Sequence, residues 1–416
     1  MERLDLFRSK REVALFTGVM LLLFLLHLFW RYQSFERFSA HKFYHTDATV
    51  LNHYQKRKPS GKRYQVLKLK SADGAVFYTT NYGDLKDLKG WRVRLGVITE
   101  GIGFWEYLHT FYAPTYDIRI FEKEGGVKEW LRRKIEAQHA DATLRELFVA
   151  LFLGEPISKA LRTDVSKLGI SHLIAISGFH LGVLFGIFYF LLRYPYHWLQ
   201  DRYFPYRNMR LDLTMVILAI LFGYLWMLGF IPSLLRSFVM LAYGFLLFHR
   251  HFKIISFEVL FVTVLTVLAL FPEFLFSIGF WFSVSGVFYI YIFLHHYSHL
   301  KPWQIVVLLN IWVYLMMIPV VHTFFGTFSF LQLASPLLSV LFGLFYPLEM
   351  VLHLVGHGDL LDPLIAKLLH AKAEIYQFTT PRWYLILFLI LSLAAVRYRL
   401  LLFFLLPASV GVYLVG

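Results

Sequence analysis

Long apolar runs and short alternating stretches divide this chain. Residues 13–30, 211–230, 233–248, 254–271, 276–294 and 303–321 are nearly uninterrupted in apolar side chains. Each approaches the ~20 residues that cross a hydrocarbon core. Between the first run and residue 125 the period changes. Trp91-Arg-Val-Arg-Leu-Gly-Val97 and Tyr116-Asp-Ile-Arg-Ile120 alternate apolar with polar, the period of a half-buried strand. Stretches 63–70 and 75–80 flank Ser-Ala-Asp-Gly, which signals a hairpin. About five short strands in this region suggest a small Greek-key barrel of the OB type, with a sandwich fragment as the alternative. Across 127–165 the spacing becomes helical: Trp130, Leu131 and Ile135, then Leu144, Leu147, Phe148 and Leu151, recur among charges. That stretch fits either a helix in the membrane interface or a linker helix packed on the domain.

From residue 170 onward the pattern is membrane throughout. Pro319, Pro336 and Pro347 break the last third, and the piece between Pro336 and Pro347 is too short to span. It is expected to be re-entrant, since irregular backbone at membrane depth must be buried in protein or line a wet cavity. An amphipathic stretch follows at 360–379. The expected layout is a cytoplasmic start and membrane anchor over 1–42, an exoplasmic domain over 43–125, an amphipathic interfacial linker over 126–169 and a polytopic domain over 170–416. The fold class is thus a polytopic α-helical membrane protein with an N-terminal anchor and a small exoplasmic all-β, OB-like domain.

Charge sets the orientation. Arg193, Arg202, Arg207 and Arg210 stand against Asp201 alone in 193–210, and Arg250 with Lys253 marks a second basic loop. Both are expected in the cytoplasm, by the excess of Lys and Arg in cytoplasmic loops. The basic start (Arg3, Arg8, Lys10, Arg11) then lies inside and 43–125 outside. Leu28, Phe29 and Trp30 stand where a signal peptidase needs small residues, so the first run is expected to be retained. Apolar residues make up 58% of the chain and charged ones 16%, yet the net charge is +14. So large an excess calls for anionic lipid or a polyanionic partner. Cysteine is absent, which excludes disulfides, thiol nucleophiles and thiolate metal sites.

Four segments carry candidate chemistry. In Gly169-Ile-Ser-His-Leu-Ile-Ala-Ile-Ser-Gly-Phe-His-Leu-Gly182, a regular helix would align Ser171, Ala175, Gly178, Gly182 and Gly186. Such small-residue spacing lets another backbone approach closely. His172 would sit at the rim of that face and His180 opposite it, so the helix is either enclosed on two sides or broken near Gly178. Polar groups here, His172, Ser177 and His180, are either functional or bonded to backbone. In Gly229-Phe-Ile-Pro-Ser-Leu-Leu-Arg236-Ser-Phe-Val-Met240, Pro232 suits a helix start, with Arg236 one turn further on. A guanidinium beside a helix start is an anion site; the alternatives are snorkelling or pairing with Glu273. Ser277, Gly279, Phe280, Ser283 and Gly286 open a later span with small and hydroxyl residues. The fourth segment, 328–349, holds Gln332, Ser335 and Glu349.

In this order the four segments resemble the competence domain of the ComEC family of DNA-uptake channel proteins. The family pattern, roughly Gly-x-x-His-Leu-x-Ala-x-Ser-Gly-x-His, is filled by Gly169, His172, Leu173, Ala175, Ser177, Gly178 and His180. The Pro-Ser-x-x-Arg and Gly-Phe-x-x-Ser segments follow, and the resemblance takes in the outer domain, covering about residues 10–355. It departs at Trp281 and Phe282, at Ser335 where asparagine is frequent, and in lacking the His-x-His-x-Asp-His pattern of the nuclease domain in long relatives. The resemblance implies an inner-membrane, non-enzymatic channel for single-stranded DNA, without cofactor or metal. His172, Ser177, Gly178, His180, Gly182, Pro232, Arg236, Ser277, Gly279, Phe280 and Ser283 would form its competence motifs. Implied partners are membrane lipid, a periplasmic DNA receptor, a cytoplasmic translocase and a separate nuclease.

The outer domain points the same way. Lys56, Arg57, Lys58, Lys62, Arg63, Lys68 and Lys70 crowd 54–70 without an acidic residue, with Tyr54, Tyr64, Phe77, Tyr78 and Trp91 near them. Basic grooves with stacking surfaces hold single strands on OB folds; a solvated or lipid-facing patch is the alternative. The expected DNA-binding set is Lys56, Arg57, Lys58, Lys62, Arg63, Tyr64, Trp91, Arg92 and Arg94. Two other function classes remain. An intramembrane serine hydrolase would use Ser177 or Ser285, each in a Ser-Gly pair that lacks the first glycine of a Gly-x-Ser-Gly site. A small-solute transporter would suit the broken segments. Paired carboxylates for ion coupling are missing there, Glu349 being the strongest candidate.

Overall fold

The computed structural model describes residues 6–58, 61–83, 88–123, 125–248 and 253–415; Arg3 and Arg250 lie outside them. Among the described residues the chain is mostly helical, with six helices long and apolar enough to cross a membrane and an N-terminal all-β domain. It divides into two compact units: Ser9–Trp130 with Leu265–Ser277, and Met1–Arg8 with Leu131–Val264 and Ile278–Gly416.

In the first unit, helix α1 (Lys10–Ser39) takes its N-cap from Ser9, whose hydroxyl accepts from Glu12 N–H. Its outer length is apolar and exposed, but its last turns are not lipid-facing: Phe38 is 1% exposed and Phe35 packs beside it in the β core. The strands are β1 (Phe43–Arg57), β2 (Arg63–Ser71), β3 (Val76–Asn81) and β4 (Trp91–Ile98). After a short helix α2 (Phe104–Leu108) come β5 (Phe111–Tyr112) and β6 (Thr115–Lys123). The Asp73-Gly74 turn joins β2 to β3 as its sequence predicts, Gly74 holding φ +82° and donating to Ser71 O at 2.9 Å. The sheet order is β5-β3-β2-β1-β4-β6, antiparallel except for β3–β5. Consecutive β5 and β6 therefore sit on opposite edges, separated in the chain by Ala113 and Pro114. Strand β1, which has no clean alternation, is the longest and pairs on both sides.

The second unit begins with three helices in place of one amphipathic bridge: α3 (Val127–Glu136), α4 (Ala142–Leu153) and α5 (Lys159–Lys167). Leu144, Leu147, Phe148 and Leu151 are all buried, so α4 packs inside protein and is not an interfacial helix. Then follow α6 (Ser171–Ile174), α7 (Gly178–Tyr203), α8 (Met209–Met227), α9 (Pro232–Phe248) and α10 (Phe257–Leu270). Next are α11 (Ile278–Tyr297), α12 (Pro302–His322), β7 (Thr327–Phe328) and α13 (Ser335–Val355). The end comprises α14 (Asp362–Leu369), β8 (Tyr376–Gln377), α15 (Arg382–Ala395) and α16 (Leu402–Val415).

Two expectations change here. The 233–248 and 254–271 runs become helices of 17 and 14 residues. At 1.5 Å per residue these reach only about 25 and 21 Å, short of the ~30 Å hydrocarbon core. The 336–347 piece is not re-entrant: α13 runs unbroken through Pro347, and with the turn at 330–334 it is one of the six long helices. Pro336 stands in its first turn, where no N–H is needed, so it starts the helix instead of breaking it. The 360–379 stretch forms α14 and the strand β8, which pairs with β7.

Candidate functional site

The histidine segment is broken in the middle. Helix α6 ends at Ile174, Ala175 is extended, and α7 starts at Gly178, so the single face from Ser171 to Gly186 does not form. Of the two ways to satisfy both histidines, the break near Gly178 is the one adopted. Ser177 is the N-cap of α7, and His180 occupies the third helical position. Its Nδ1 accepts from the Ser177 N–H and lies 3.2 Å from the Ser177 hydroxyl. That is a capping box with imidazole in the place of Glu or Gln. The ring is 1% exposed, edge-on to Tyr346 at 4.4 Å and near Phe342, and its Nε2 has no partner among the described residues. The contact therefore ties a serine hydroxyl to a histidine, but lacks an acid to orient the ring as a hydrolase would need.

This capping role gives a prediction. His180→Gln supplies an acceptor for the Ser177 N–H, whereas His180→Leu leaves a helix-start donor unpaired, a loss of about 1 kcal/mol. Thermal unfolding of purified protein should rank wild type above Gln and Gln above Leu; equal midpoints for the two variants would refute the cap.

The other three segments close on this break. Gly169, at φ +69°, lies against Ser335 and Gln332, where an added Cβ would stand 3.1 Å from Ser335 Cβ. Its carbonyl accepts from the Ser335 hydroxyl at 2.9 Å, while Gln332 Nε2 donates to Ser166 O at 2.9 Å and Thr327 O at 3.0 Å. Ser335, where the resemblance expects asparagine, thus makes a bond of its own. His172 Nε2 lies 3.1 Å from Ser339 Oγ. Ser233, in the first turn of α9 after Pro232, donates to Ile176 O at 2.7 Å within the broken turn. Gly178 faces Ser237, whose Oγ would stand 2.9 Å from a Cβ added there. Gly182 and Gly186 have open space on that side, and the neighbours of Gly178 are the Ser237 and Arg236 side chains, so the close packing there is of side chains against Gly178.

Arg236 joins the second and third segments. It is 4% exposed, and its Nε donates to Ser283 Oγ at 2.9 Å on α11. Its Nη2 donates to Ser237 Oγ at 3.0 Å and its Nη1 to Met240 Sδ at 2.8 Å. Within the other unit, Glu273 lies 4.0 Å from Arg31. Among the described residues no carboxylate pairs with Arg236. Phe280 is fully buried one turn before Ser283, and Gly279 is in the first turn of α11. Ser277 ends the 272–276 turn just before that helix. A buried guanidinium held by two hydroxyls and a thioether keeps its charge uncompensated inside the helical unit.

The β unit separates the predicted DNA-binding residues into two groups. Lys56, Arg57 and Lys58 run to the β1 end opposite Arg63 and Tyr64 on β2, with exposed Lys62 in the turn between. Tyr82 completes this tip: Lys58 and Lys62 lie 5.0 and 5.2 Å from its ring centre, and Tyr64 lies at 6.2 Å. The Tyr82 hydroxyl holds the Lys58 ammonium above its ordinary pKa. A cleft of about 280 Å³ here is lined by Gln55, Arg63, Tyr64, Gln65, Tyr82 and Gly83. Tyr82 was missed in the sequence because it falls after β3, among turn residues. Arg92 and Arg94 pair instead with Thr49 and Asp47, some eight strand residues away, or ~26 Å at 3.3 Å per residue. Arg94 is bidentate to Asp47 at 2.6 and 3.1 Å, which depresses the Asp47 pKa. Phe77 is buried in the β core, and Trp91 packs on that core while staying half-buried.

The sequence profile of the competence protein family matches residues 151–406. An uncharacterized protein of Aquifex aeolicus (strain VF5) is 25% identical over 190 residues. That match takes in 45% of this chain and 42% of the relative, so the chain spans less than half of the relative's length. No solved structure matches. The matched residues include all four converging segments, and the chain belongs to the competence protein family.

Proposed function

We propose that this chain forms the path by which single-stranded DNA crosses the inner membrane of a bacterium during natural transformation. The observation that carries this reading is the packing of the second and fourth family segments on the broken histidine segment, with a buried arginine tying the second segment to the third. Ser335 and Ser233 bond the backbone of that segment at Gly169 and Ile176, and Arg236 bonds Ser283 and Ser237, with no carboxylate pairing with it among the described residues. Phosphates need fixed positive charge along their path, without a site so deep that release fails. Arg236 is closed off by its hydroxyl partners, so its charge reaches a strand only when α9 and α11 part.

The β unit supports the same reading. The β5–β6 segment links both edges of the sheet, which favours an OB-type barrel, and the basic tyrosine-bearing hairpin tip suits a strand's phosphates and bases. We place this unit on the periplasmic side, where a DNA receptor would deliver the strand. A cytoplasmic translocase and a separate nuclease would act with it, and the chain itself would act without cofactor, metal or hydrolytic chemistry.

Deleting the gene tests the proposal. Transformants should be lost while nuclease-protected DNA still accumulates in the periplasm. Normal transformation in the deletion strain would refute the function, and loss of periplasmic DNA would place it at the outer membrane instead.

A further inference from the structure

A second polar cluster lies in the helical unit, away from Arg236. Glu349 on α13 is 0% exposed, and neither carboxyl oxygen has a hydrogen-bond partner among the described residues. One turn later His353 places Nδ1 3.3 Å from Glu349 Oε2 and 2.8 Å from the Glu349 carbonyl. The His353 Nε2 meets the His139 Nε2 at 3.0 Å, and His139 Nδ1 meets the Asp362 carboxylate at 2.9 and 3.0 Å. A continuous line thus runs from Asp362, whose side chain is 16% exposed, through two imidazoles to a sealed carboxyl. Phe148 lies parallel to His139 at 4.4 Å, and Phe148 and Phe152 pack on His353 at 4.8 and 4.9 Å, which screens the rings from water. Gln138 fixes the His353 backbone by donating to its carbonyl at 3.2 Å.

Hydrogen counting shows what the line must hold. His139 Nδ1 needs a hydrogen to face a carboxylate, and His353 Nδ1 needs one to face a carbonyl. The contact between the two Nε2 atoms needs one more. Two neutral imidazoles carry one N–H each, so the line holds one further proton, shared between Asp362 and His139 Nδ1; with it on Asp362 both rings are neutral, His139 protonated at Nε2 and His353 at Nδ1. The charged groups facing it are Asp362 from α14, Glu349 from α13 and, from α4, Arg145, which donates to the His139 and Ala140 carbonyls at 2.8 and 2.7 Å. Asp141 is turned away to cap α4 through the Thr143 N–H.

We propose that Asp362, His139, His353 and Glu349 form a proton relay that loads and unloads Glu349 inside the helical unit. Inward, a proton on Asp362 passes to His139 Nδ1, the His139 Nε2 proton to His353 Nε2, and the His353 Nδ1 proton to Glu349 Oε2. Each ring gives one proton as it receives one, so only Asp362 and Glu349 change net charge. The last transfer needs Glu349 to turn toward Nδ1, since its oxygens are close but not aligned. An ionised carboxyl without donors is costly in an apolar interior, so loading and unloading Glu349 changes which packing of α13 against α4 is favoured. The ligand is the proton, and the relay is independent of the DNA-path reading.

The test is pH-difference infrared spectroscopy on the full chain in nanodiscs. A carboxylic-acid carbonyl band should appear and disappear together with imidazole bands as the pH is changed. Glu349→Gln should abolish the carboxyl band, and Asp362→Asn and His139→Gln should each keep it but move its midpoint by at least one pH unit. No titrating carboxyl band in the wild type, or the same band persisting in folded Glu349→Gln, would overturn the relay. Should Glu349→Gln not fold, unshifted midpoints in the other two variants would overturn it equally.

Discussion

Arg236→Ala should reduce transformation by about two orders of magnitude while the protein remains inserted at normal levels. The side chain gives one hydrogen bond to Ser283 and one to Ser237, and hydrogen bonds from an ionised donor contribute about 1.5–3 kcal/mol each. Loss of the Ser283 bond frees α9 from α11 close to where Ser233 pins the histidine segment, and the substitution also removes the fixed cation held there. Charge and packing can be told apart by two further variants. Arg236→Lys keeps a charge able to reach one hydroxyl, but loses the planar fork that serves two at once, so it should retain part of the activity. Arg236→Met fills similar volume with no charge and no donor, and should be as inactive as Ala. Transformation frequency, normalised to protein in the membrane, is the measurement. Full activity of Arg236→Met would remove the anion-path role altogether. Equal inactivity of Lys and Ala would assign the residue to a bidentate structural contact.

What the sequence made legible follows how local each signal was. The β2–β3 hairpin was readable because Asp73-Gly74 and its flanking alternation lie within one short window. Strand β1 was not, because its alternation slips at the bulge between Val50 and Asn52 and its pairing is settled by partners on both sides. Pro336 and Pro347 suggested a break where the helix continues, since one proline starts it and the other stands inside it without ending it. The break after Ile174 was foreseen as one of two alternatives, because two histidines on opposite faces cannot share one buried side. Arg236 could be placed at a helix start from Pro232, but Ser283 as its acceptor lies 47 positions away. The Asp362–His139–His353 line was invisible for the same reason. Its histidines are 214 positions apart, and only Glu349 drew notice as a lone carboxylate in an apolar run.

Replacing Lys56, Arg57, Lys58, Lys62 and Arg63 by Ala should weaken single-stranded DNA binding and flatten its salt dependence together. Each phosphate neutralised on a single strand contributes about 0.7 to the slope of log K against log salt, so five lost contacts lower its magnitude by about 3.5. Tyr64→Ala and Tyr82→Ala act on a different term. Stacking of a base on an aromatic ring contributes about 1–3 kcal/mol and involves no counterion, so these variants should bind more weakly with the slope unchanged. Arg94→Ala should change neither quantity, because its guanidinium is already engaged by Asp47. Fluorescence anisotropy with unstructured oligonucleotides of mixed sequence, on the full chain in zwitterionic nanodiscs, reads both affinity and slope. Nanodiscs free of anionic lipid matter here, because a hairpin that serves a membrane surface would then show no affinity for DNA at low salt. That outcome would reassign the basic tip to lipid. A tip that binds, with a slope carried by the five cations and an offset carried by the two tyrosines, is a groove for a strand rather than a merely positive surface.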